Sequence, residues 1–280
     1  MKTRLHLKFI TLLLITFSSV TFAQKLERIK GSKVVTTSEI ALDSVVSLEL
    51  FKDVKLTLVQ GDEEKLTIYA DDNLHDIVDI DLVDGKLSLS LLYKIARKKK
   101  FELTLQLINL EELILNSNSE IINNDLFTVD NINIMLNDKS DATIIIEAAD
   151  SILYEAGEKS KSEVSFKANK ISYELSGSAK VKGSSNCDAI EVNLQDRAVI
   201  ELVGKCDSSL LTANENAKIK MTNVTVDTTE ISASGKADIY TYSTSSLLID
   251  IKDNVRVYFY GKAKVELNGF SGNVSLLKKE

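Results

Sequence analysis

Residues 115–257 repeat a short pattern of apolar, turn-forming and small residues. Each copy starts with an apolar anchor (position zero), followed by a turn residue at position two, a small residue at position four and usually an apolar residue at position six. The copies are Leu115/Ser117/Ser119/Ile121, Leu136/Asp138/Ser140/Ala142, Ala156/Glu158/Ser160/Ser162, Leu175/Gly177/Ala179/Val181, Leu194/Asp196/Ala198/Ile200, Ala213/Glu215/Ala217/Ile219, Ala233/Gly235/Ala237/Ile239 and Ile251/Asp253/Val255/Val257. The anchors are 21, 20, 19, 19, 19, 20 and 18 residues apart, and a period near twenty is typical of a solenoid.

Apolar residues at positions minus two and zero of each copy alternate with polar ones, as in Val192-Asn193-Leu194, and positions four, six and often eight point the same way, as in Ala198, Ile200 and Leu202. This period of two, together with many Val, Ile, Thr and Tyr residues, indicates strands rather than helices. Position two is Gly in two copies and Asp in three, so we predict a tight corner there between two short strands. The fold class is therefore all-β, a parallel β-helix of about eight regular coils.

Stacked coils would bring equivalent residues to the ~4.8 Å spacing of paired strands, which gives a rod of roughly 40 Å. Position four then forms a column in which only small side chains fit close to the axis. The members of this column are Ser119, Ser140, Ser160, Ala179, Ala198, Ala217, Ala237 and Val255.

The region before the repeats has the same alternation but less regular spacing. Residues 45–109 are predicted to form an N-terminal β segment of the same solenoid, because Leu50/Lys52/Val54/Leu56 already fits the repeat. We assign 110–264 to the regular repeats, 265–280 to a C-terminal cap or tail, and 24–44 to an N-terminal extension.

Residues 1–23 have the features of a secretory signal peptide. Lys2, Arg4 and Lys8 precede the apolar run 9–17, and small residues lead to a cleavage point after Ala23. A retained membrane anchor is the alternative, although the run is shorter than the ~20 residues that span a bilayer. We expect an exported protein, in the periplasm or outside the cell, with no membrane span after cleavage.

Several of these segments resemble the putative auto-transporter adhesin head GIN domain family. The resemblance covers approximately residues 40–265. The matching segments are Leu175-Ser176-Gly177-Ser178-Ala179-Lys180-Val181, Ala233-Ser234-Gly235-Lys236-Ala237-Asp238-Ile239, Val59-Gln60-Gly61-Asp62, Ala70-Asp71-Asp72-Asn73-Leu74, Asp84-Gly85-Lys86-Leu87 and Tyr258-Phe259-Tyr260-Gly261. The resemblance implies a right-handed parallel β-helix exported by Bacteroidetes-type bacteria, with adhesion as a role by analogy. The resemblance supplies no catalytic residue.

Composition excludes much familiar chemistry. The chain has no Pro and no Trp, and His75 is the only histidine after residue 23, so histidine zinc sites and Ser-His-Asp triads are disfavoured. We interpret His75 as part of a polar loop and expect no cofactor. The formal charge is −7, and it becomes −10 once the three basic residues of the signal peptide are removed, which argues against a nucleic-acid partner.

Acidic residues stack at position two, in Asp138, Glu158, Asp196, Glu215 and Asp253. Such a ladder could chelate calcium. Basic residues stand beside it at position three, in Lys139, Lys159, Arg197 and Lys236. We therefore predict a charge-balanced surface and no metal site.

Cys187 and Cys206 are 19 residues apart, which places them in the same slot of adjacent coils. The expected separation of their Cα atoms allows a disulfide, and the compartment is oxidising. Two parallel side chains that point the same way would have to distort to form it. A disulfide and a pair of free thiols both remain open.

Four tyrosines are predicted to form an outward-facing patch on the last two coils. Tyr240 and Tyr242 follow positions six and eight by one residue, and Tyr258 and Tyr260 lie 18 residues later. Exposed aromatic patches often bind a glycan or a partner protein. The alternative is that the C-terminal segment folds over them.

The run Arg97-Lys98-Lys99-Lys100 joins two strands. Its charge would suit an anionic polysaccharide or a lipid headgroup, but a solvated loop is the simpler interpretation.

We interpret the chain as a non-catalytic envelope or surface protein that presents a rigid face to a glycan or a protein. One alternative is a carbohydrate-active enzyme, for which Glu174, Glu191 and Asp238 are outward acids that do not line up in one column beside a basic group. Another is a structural protein that forms homo-oligomers through the tyrosine patch.

Overall fold

The computed structural model describes residues 27–280, which are built almost entirely of β-strands. The predicted signal peptide lies outside these residues. The strands are β1 (Arg28–Lys30), β2 (Val35–Ala41), β3 (Ser47–Leu50), β4 (Lys55–Gln60), β5 (Lys65–Asp71), β6 (Val78–Val83), β7 (Lys86–Leu91), β8 (Lys94–Arg97), β9 (Phe101–Leu107), β10 (Glu112–Leu115), β11 (Glu120–Ile122), β12 (Phe127–Leu136), β13 (Asp141–Ala156), β14 (Lys161–Leu175), β15 (Lys180–Leu194), β16 (Val199–Ala213), β17 (Lys218–Ala233), β18 (Asp238–Asp253), β19 (Arg256–Gly261), β20 (Lys264–Gly272) and β21 (Ser275–Lys278). One 3-10 helix, Asp72–Ile77, lies between β5 and β6.

The strands wind into a parallel β-solenoid of about nine turns, so the predicted fold class is confirmed, with about one turn more than the eight predicted. β3 and β4 pair in register with β10 and β11, which means that the copy at Leu50/Leu56 already forms a coil. From β13 to β18 each strand pairs in parallel with the next over almost its full length. Each coil away from the tight corner is thus one long bent strand, with register shifts at several of the bends.

The tight corner at position two is confirmed. All eight residues there have a positive φ, between 54° and 76°, a conformation that Gly, Asn and Asp tolerate best. The corners also bond to one another: the amide of Arg197 donates to the carbonyl of Gly177 at 2.9 Å. In addition the Asp196 carboxylate accepts from the Gly177 amide at 2.9 Å. Aspartate therefore suits this corner both by its conformation and by its side chain.

The small-residue column at position four is buried along its whole length. Each of its eight members is at most 1% exposed, so the column lies in the interior, as expected for side chains that stack close to the axis. Larger side chains fill the rest of the interior. Tyr154, Phe166 and Tyr173 form an aromatic cluster with ring centroids 5.7–6.1 Å apart.

The tyrosine hydroxyls in this interior have partners. The Tyr154 hydroxyl donates to Ser162 at 2.6 Å, and Tyr173 and Ser185 share a hydrogen bond of 2.8 Å. Burial raises the pKa of both tyrosines, against a smaller opposing effect of these hydrogen bonds. The cluster therefore packs as neutral, hydrogen-bonded rings.

The N-terminal end of the solenoid is irregular, as predicted. Here β2–β5, β5–β9 and β6–β7 pair antiparallel, whereas the later coils pair in parallel. His75 lies in the 3-10 helix rather than in a loop, and its ring nitrogens bond to Thr36 at 2.9 Å and to Ser38 at 2.7 Å. The sequence interpretation of a polar loop missed this helix because the helix is only six residues long.

Asp71 connects three segments of this end. Its buried carboxylate accepts hydrogen bonds from the backbone amides of Lys33 at 3.0 Å, Lys99 at 3.1 Å and Lys100 at 2.9 Å. Burial by itself would raise the pKa of Asp71, but the three amide hydrogen bonds outweigh it and the pKa is lowered. The amides of the basic run therefore hold a carboxylate in place.

We expect Asp71→Asn to lower the urea midpoint of unfolding near neutral pH. The asparagine side chain has only one acceptor oxygen for these hydrogen bonds, and its NH2 group would face backbone amides that are themselves donors. The folded pKa lies below the unfolded one, so the carboxylate stabilises the fold above its unfolded pKa and loses this effect as pH falls through the folded pKa. The difference between wild type and variant should therefore shrink in acid. The matched control is Asp76→Asn on the exposed side of the 3-10 helix; a pH-independent difference for Asp71→Asn would contradict the expectation.

The C-terminal strands continue the solenoid ladder. β20 pairs in parallel with β18, and β21 pairs in parallel with β19. Leu277 is in register with Tyr258. The C-terminal strands thus extend the sheet beside the tyrosines, and Lys279 from this segment lies over the Tyr258 ring.

Candidate functional site

The four tyrosines predicted to form a patch lie together on adjacent strands, and we call them the tyrosine ladder. Tyr240 and Tyr242 in β18 are in register with Tyr258 and Tyr260 in β19. All four are partly exposed and alternate with the buried residues Ile239 and Thr241 in β18 and Val257 and Phe259 in β19. The period of two along each strand places them on the outside, while the 18-residue spacing places them side by side.

Two rings of the ladder, those of Tyr240 and Tyr258, stack on each other across adjacent coils. The centroids of Tyr240 and Tyr258 are 4.6 Å apart and their planes differ by 9°. The Lys279 ammonium lies 5.5 Å from the centroid of Tyr258. Because one ring covers a face of the other, this pair presents ring edges and hydroxyls to solvent more than the flat faces suggested by the sequence.

An ion-pair network borders the ladder. Asp238, which is 7% exposed, accepts two hydrogen bonds from the Arg256 guanidinium, at 2.7 and 3.0 Å, and lies 3.3 Å from the Lys218 ammonium. The hydrogen bonds to Asp238 and its charge raise the pKa of Arg256. Lys218 and Arg256 reach Asp238 from the neighbouring coils. This carboxylate is fully engaged in the network.

The other two acids considered for catalysis lie apart from Asp238. Glu191 pairs with Lys170 at 3.3 Å. Glu174 lies next to Glu155 at a shallow cavity of about 260 Å³ whose lining contains no basic residue. These positions do not bring two acids and a cation into one groove.

The cysteines occupy the same slot of adjacent coils, as the spacing indicated. Cys187 in β15 is in register with Cys206 in β16, and both are free thiols in the structure. Hydrogen bonding to Cys206 and burial raise the pKa of Cys187, and the same hydrogen bond lowers the pKa of Cys206. The disulfide and the pair of free thiols both stay expectations from the sequence.

Several carboxylates of the acidic column at position two accept hydrogen bonds from backbone amides. The Asp138, Asp196 and Asp253 carboxylates accept hydrogen bonds from the amides of residues 117, 177 and 235 in the preceding coils, at 2.9, 2.9 and 3.0 Å. Within residues 27–280 no group of three or more His, Cys, Asp or Glu side chains is placed to hold a metal ion. The absence of a metal site remains an expectation from the sequence.

In the part of the chain that the structure describes, no helix has the length and apolar character needed to cross a membrane.

Comparison with known proteins gives one family. The family model described as "Putative auto-transporter adhesin, head GIN domain" matches residues 46–185 and 150–263. No protein with a curated description matches the chain.

Three solved structures share the fold. A putative adhesin from Parabacteroides merdae is 19% identical with a TM-score of 0.67, and the match covers 91% of this chain and 100% of that one. A putative adhesin from Parabacteroides distasonis is 17% identical with a TM-score of 0.65, over 90% and 100% of the two chains. A protein of the same species described as a putative lipid binding protein is 17% identical with a TM-score of 0.66, over 91% and 100%. At these identities the likeness concerns the fold alone.

Proposed function

Because the chain belongs to the putative auto-transporter adhesin family with a head GIN domain, we propose that it is an exported, non-catalytic protein of the cell envelope or surface that binds a glycan or a protein on another surface. The observation that carries this proposal is the tyrosine ladder, in which the rings of Tyr240 and Tyr258 stack at 4.6 Å. Ordered tyrosine edges and hydroxyls combine apolar contact with hydrogen bonding at little conformational cost, which is common at binding surfaces.

The proposed mechanism is rigid display. Each coil is hydrogen-bonded to its neighbours over most of its length, so outward side chains are held at the fixed spacing of paired strands. A partner with a repeating surface could meet several of these side chains at once, and weak contacts would then add through a high effective concentration. Such binding does not require a deep pocket.

A glycan is the partner that we test first, because phenol hydroxyls and ring edges can bond to sugar hydroxyls. The Arg256–Asp238 pair beside the ladder is already satisfied, so these two charges are not free to select an ionic partner. A surface protein would use the same residues.

The test compares wild type with a Tyr240→Ala/Tyr242→Ala/Tyr258→Ala/Tyr260→Ala variant on a glycan array and in adhesion of protein-coated beads to cells. We expect at least a tenfold loss of binding in the variant. The matched control is Tyr69→Ala, which removes an exposed tyrosine from the N-terminal end.

Equal binding by the quadruple variant, or no binding by wild type in either assay, would overturn the proposal. A homo-oligomer that dissociates in the quadruple variant, seen by light scattering after size exclusion, would instead favour a structural role for the ladder.

A further inference from the structure

The terminal coil at the N-terminal end has an enlarged corner. β7 and β9 lie in parallel on β3 and β4, with Leu89 opposite Leu50 and Leu103 opposite Leu56. The chain takes six steps from Leu50 to Leu56 but fourteen from Leu89 to Leu103. Eight extra residues therefore stand where every later coil has a tight turn.

The enlarged corner includes β8 and leaves a cavity of about 260 Å³ above the turn at 52–55. Four lysines surround it, and we call it the lysine pocket: Lys52 and Lys55 come from the tight turn, and Lys94 and Lys98 come from the enlarged corner. Tyr93 and Phe101 supply aromatic surface. A regular four-residue turn would have packed directly on its neighbour and left no such space.

The charges in the pocket are not balanced from within. Lys55 pairs with Glu120, and the one acidic lining residue, Asp53, accepts a hydrogen bond from the Asn118 amide at 2.6 Å. Among residues 27–280 no carboxylate lies within 4.0 Å of the ammonium groups of Lys52, Lys94 or Lys98. An acidic protein thus concentrates unpaired positive charge at one concave site.

The environment of the Lys98 ammonium shows the effect of this concentration of charge. Its ammonium lies 5.1 Å from the centroid of the Phe101 ring, which fixes the cation at the apolar wall. Burial and the charge of Lys55 lower the pKa of Lys98. A bound anion would relieve both effects on Lys98. It would accept hydrogen bonds in place of the lost water and offset the repulsion between the lysine charges.

We infer that the lysine pocket binds a small ligand that carries one carboxylate or phosphate group and an adjoining apolar part. The anionic group would lie among Lys52, Lys94 and Lys98, and the apolar part would contact Tyr93 and Phe101. Charge-assisted hydrogen bonds from the lysines would hold an anion more strongly than hydrogen bonds between neutral groups would. The aromatic wall favours a ligand with an apolar part over a bare inorganic ion. Neither the tyrosine ladder nor the proposed surface partner enters this inference, because the pocket lies on the first coils, where β7 and β9 pair with β3 and β4, whereas the ladder lies on β18 and β19.

Isothermal titration calorimetry with octanoate tests the inference, with octanol and acetate as probes that lack the charge or the apolar part. We expect octanoate to bind at least tenfold more tightly than either. The variant Lys94→Gln/Lys98→Gln should weaken octanoate binding at least tenfold. The matched control Lys99→Gln/Lys262→Gln removes the same charge at exposed positions outside the pocket and should leave binding unchanged.

Vesicles separate the two sources of such a ligand. Cosedimentation with phosphatidylglycerol vesicles but not with phosphatidylcholine vesicles, abolished in the pocket variant, would identify a membrane lipid. Octanoate binding without cosedimentation would identify a free acid, and both results support the inference. It is overturned if octanoate gives no binding heat, or if a pocket variant with a wild-type circular dichroism spectrum binds octanoate as tightly as wild type does.

Discussion

Replacing Gly183 with alanine is expected to lower the free energy of unfolding by about 3 kcal/mol, since a strained backbone and a steric clash act together. Gly183 lies within β15 with φ at 155°, which side chains rarely allow. A Cβ atom there would lie 1.8 Å from the carbonyl oxygen of Val164 on the neighbouring coil. That oxygen belongs to a β14 strand that is paired on both sides, so it has little freedom to move.

The measurement is the urea midpoint of unfolding. Gly157→Ala is the matched control, because Gly157 has no positive φ and its added Cβ would meet only the Ser176 hydroxyl, at 3.5 Å. We expect this control to change the free energy of unfolding by less than about 0.5 kcal/mol. Similar midpoints for the two variants would show that the coils can separate to accept a side chain.

Replacing Tyr173 with alanine is expected to destabilise the protein by about 3–5 kcal/mol, the range for deleting a large buried ring. Tyr173 is completely buried, and its ring centroid lies 5.7 Å from that of Tyr154 and 6.1 Å from that of Phe166. The neighbouring coils are held by continuous strand pairing, so they cannot collapse fully into the space that remains.

Tyr173→Phe separates the ring from its hydroxyl. It keeps the packing but removes the partner of the buried Ser185 hydroxyl, so we expect a loss of about 1 kcal/mol. Thermal and urea unfolding of both variants check the difference. If alanine and phenylalanine destabilise equally, the hydrogen bond rather than the ring dominates, which would contradict the packing argument.

The repeat could be predicted because its causes are local. A tight corner needs residues such as Gly177 or Asp196 that accept a positive φ, and a strand with one buried face needs alternation. Both requirements recur with each coil, so eight copies reinforce one interpretation. The same period placed Cys187 beside Cys206 and Tyr240 beside Tyr258.

The lysine pocket could not be predicted in the same way. The basic run at residues 97–100 was interpreted as a solvated loop, and only one of its residues, Lys98, lines the pocket. The other lysines come from residues 52, 55 and 94. The unequal distance between Leu89 and Leu103 was present in the sequence, but it becomes informative only once β7 and β9 are known to lie on β3 and β4.

The sequence by itself determined the solenoid, its corners, its buried small-residue column and the neighbours across adjacent coils, because each follows from a periodic backbone requirement. Only the tertiary structure decided how the tyrosine rings turn, which cations reach Asp238, and where the enlarged corner opens. Those features depend on side-chain rotamers and on contacts between segments that do not follow the period, and no local pattern encodes them.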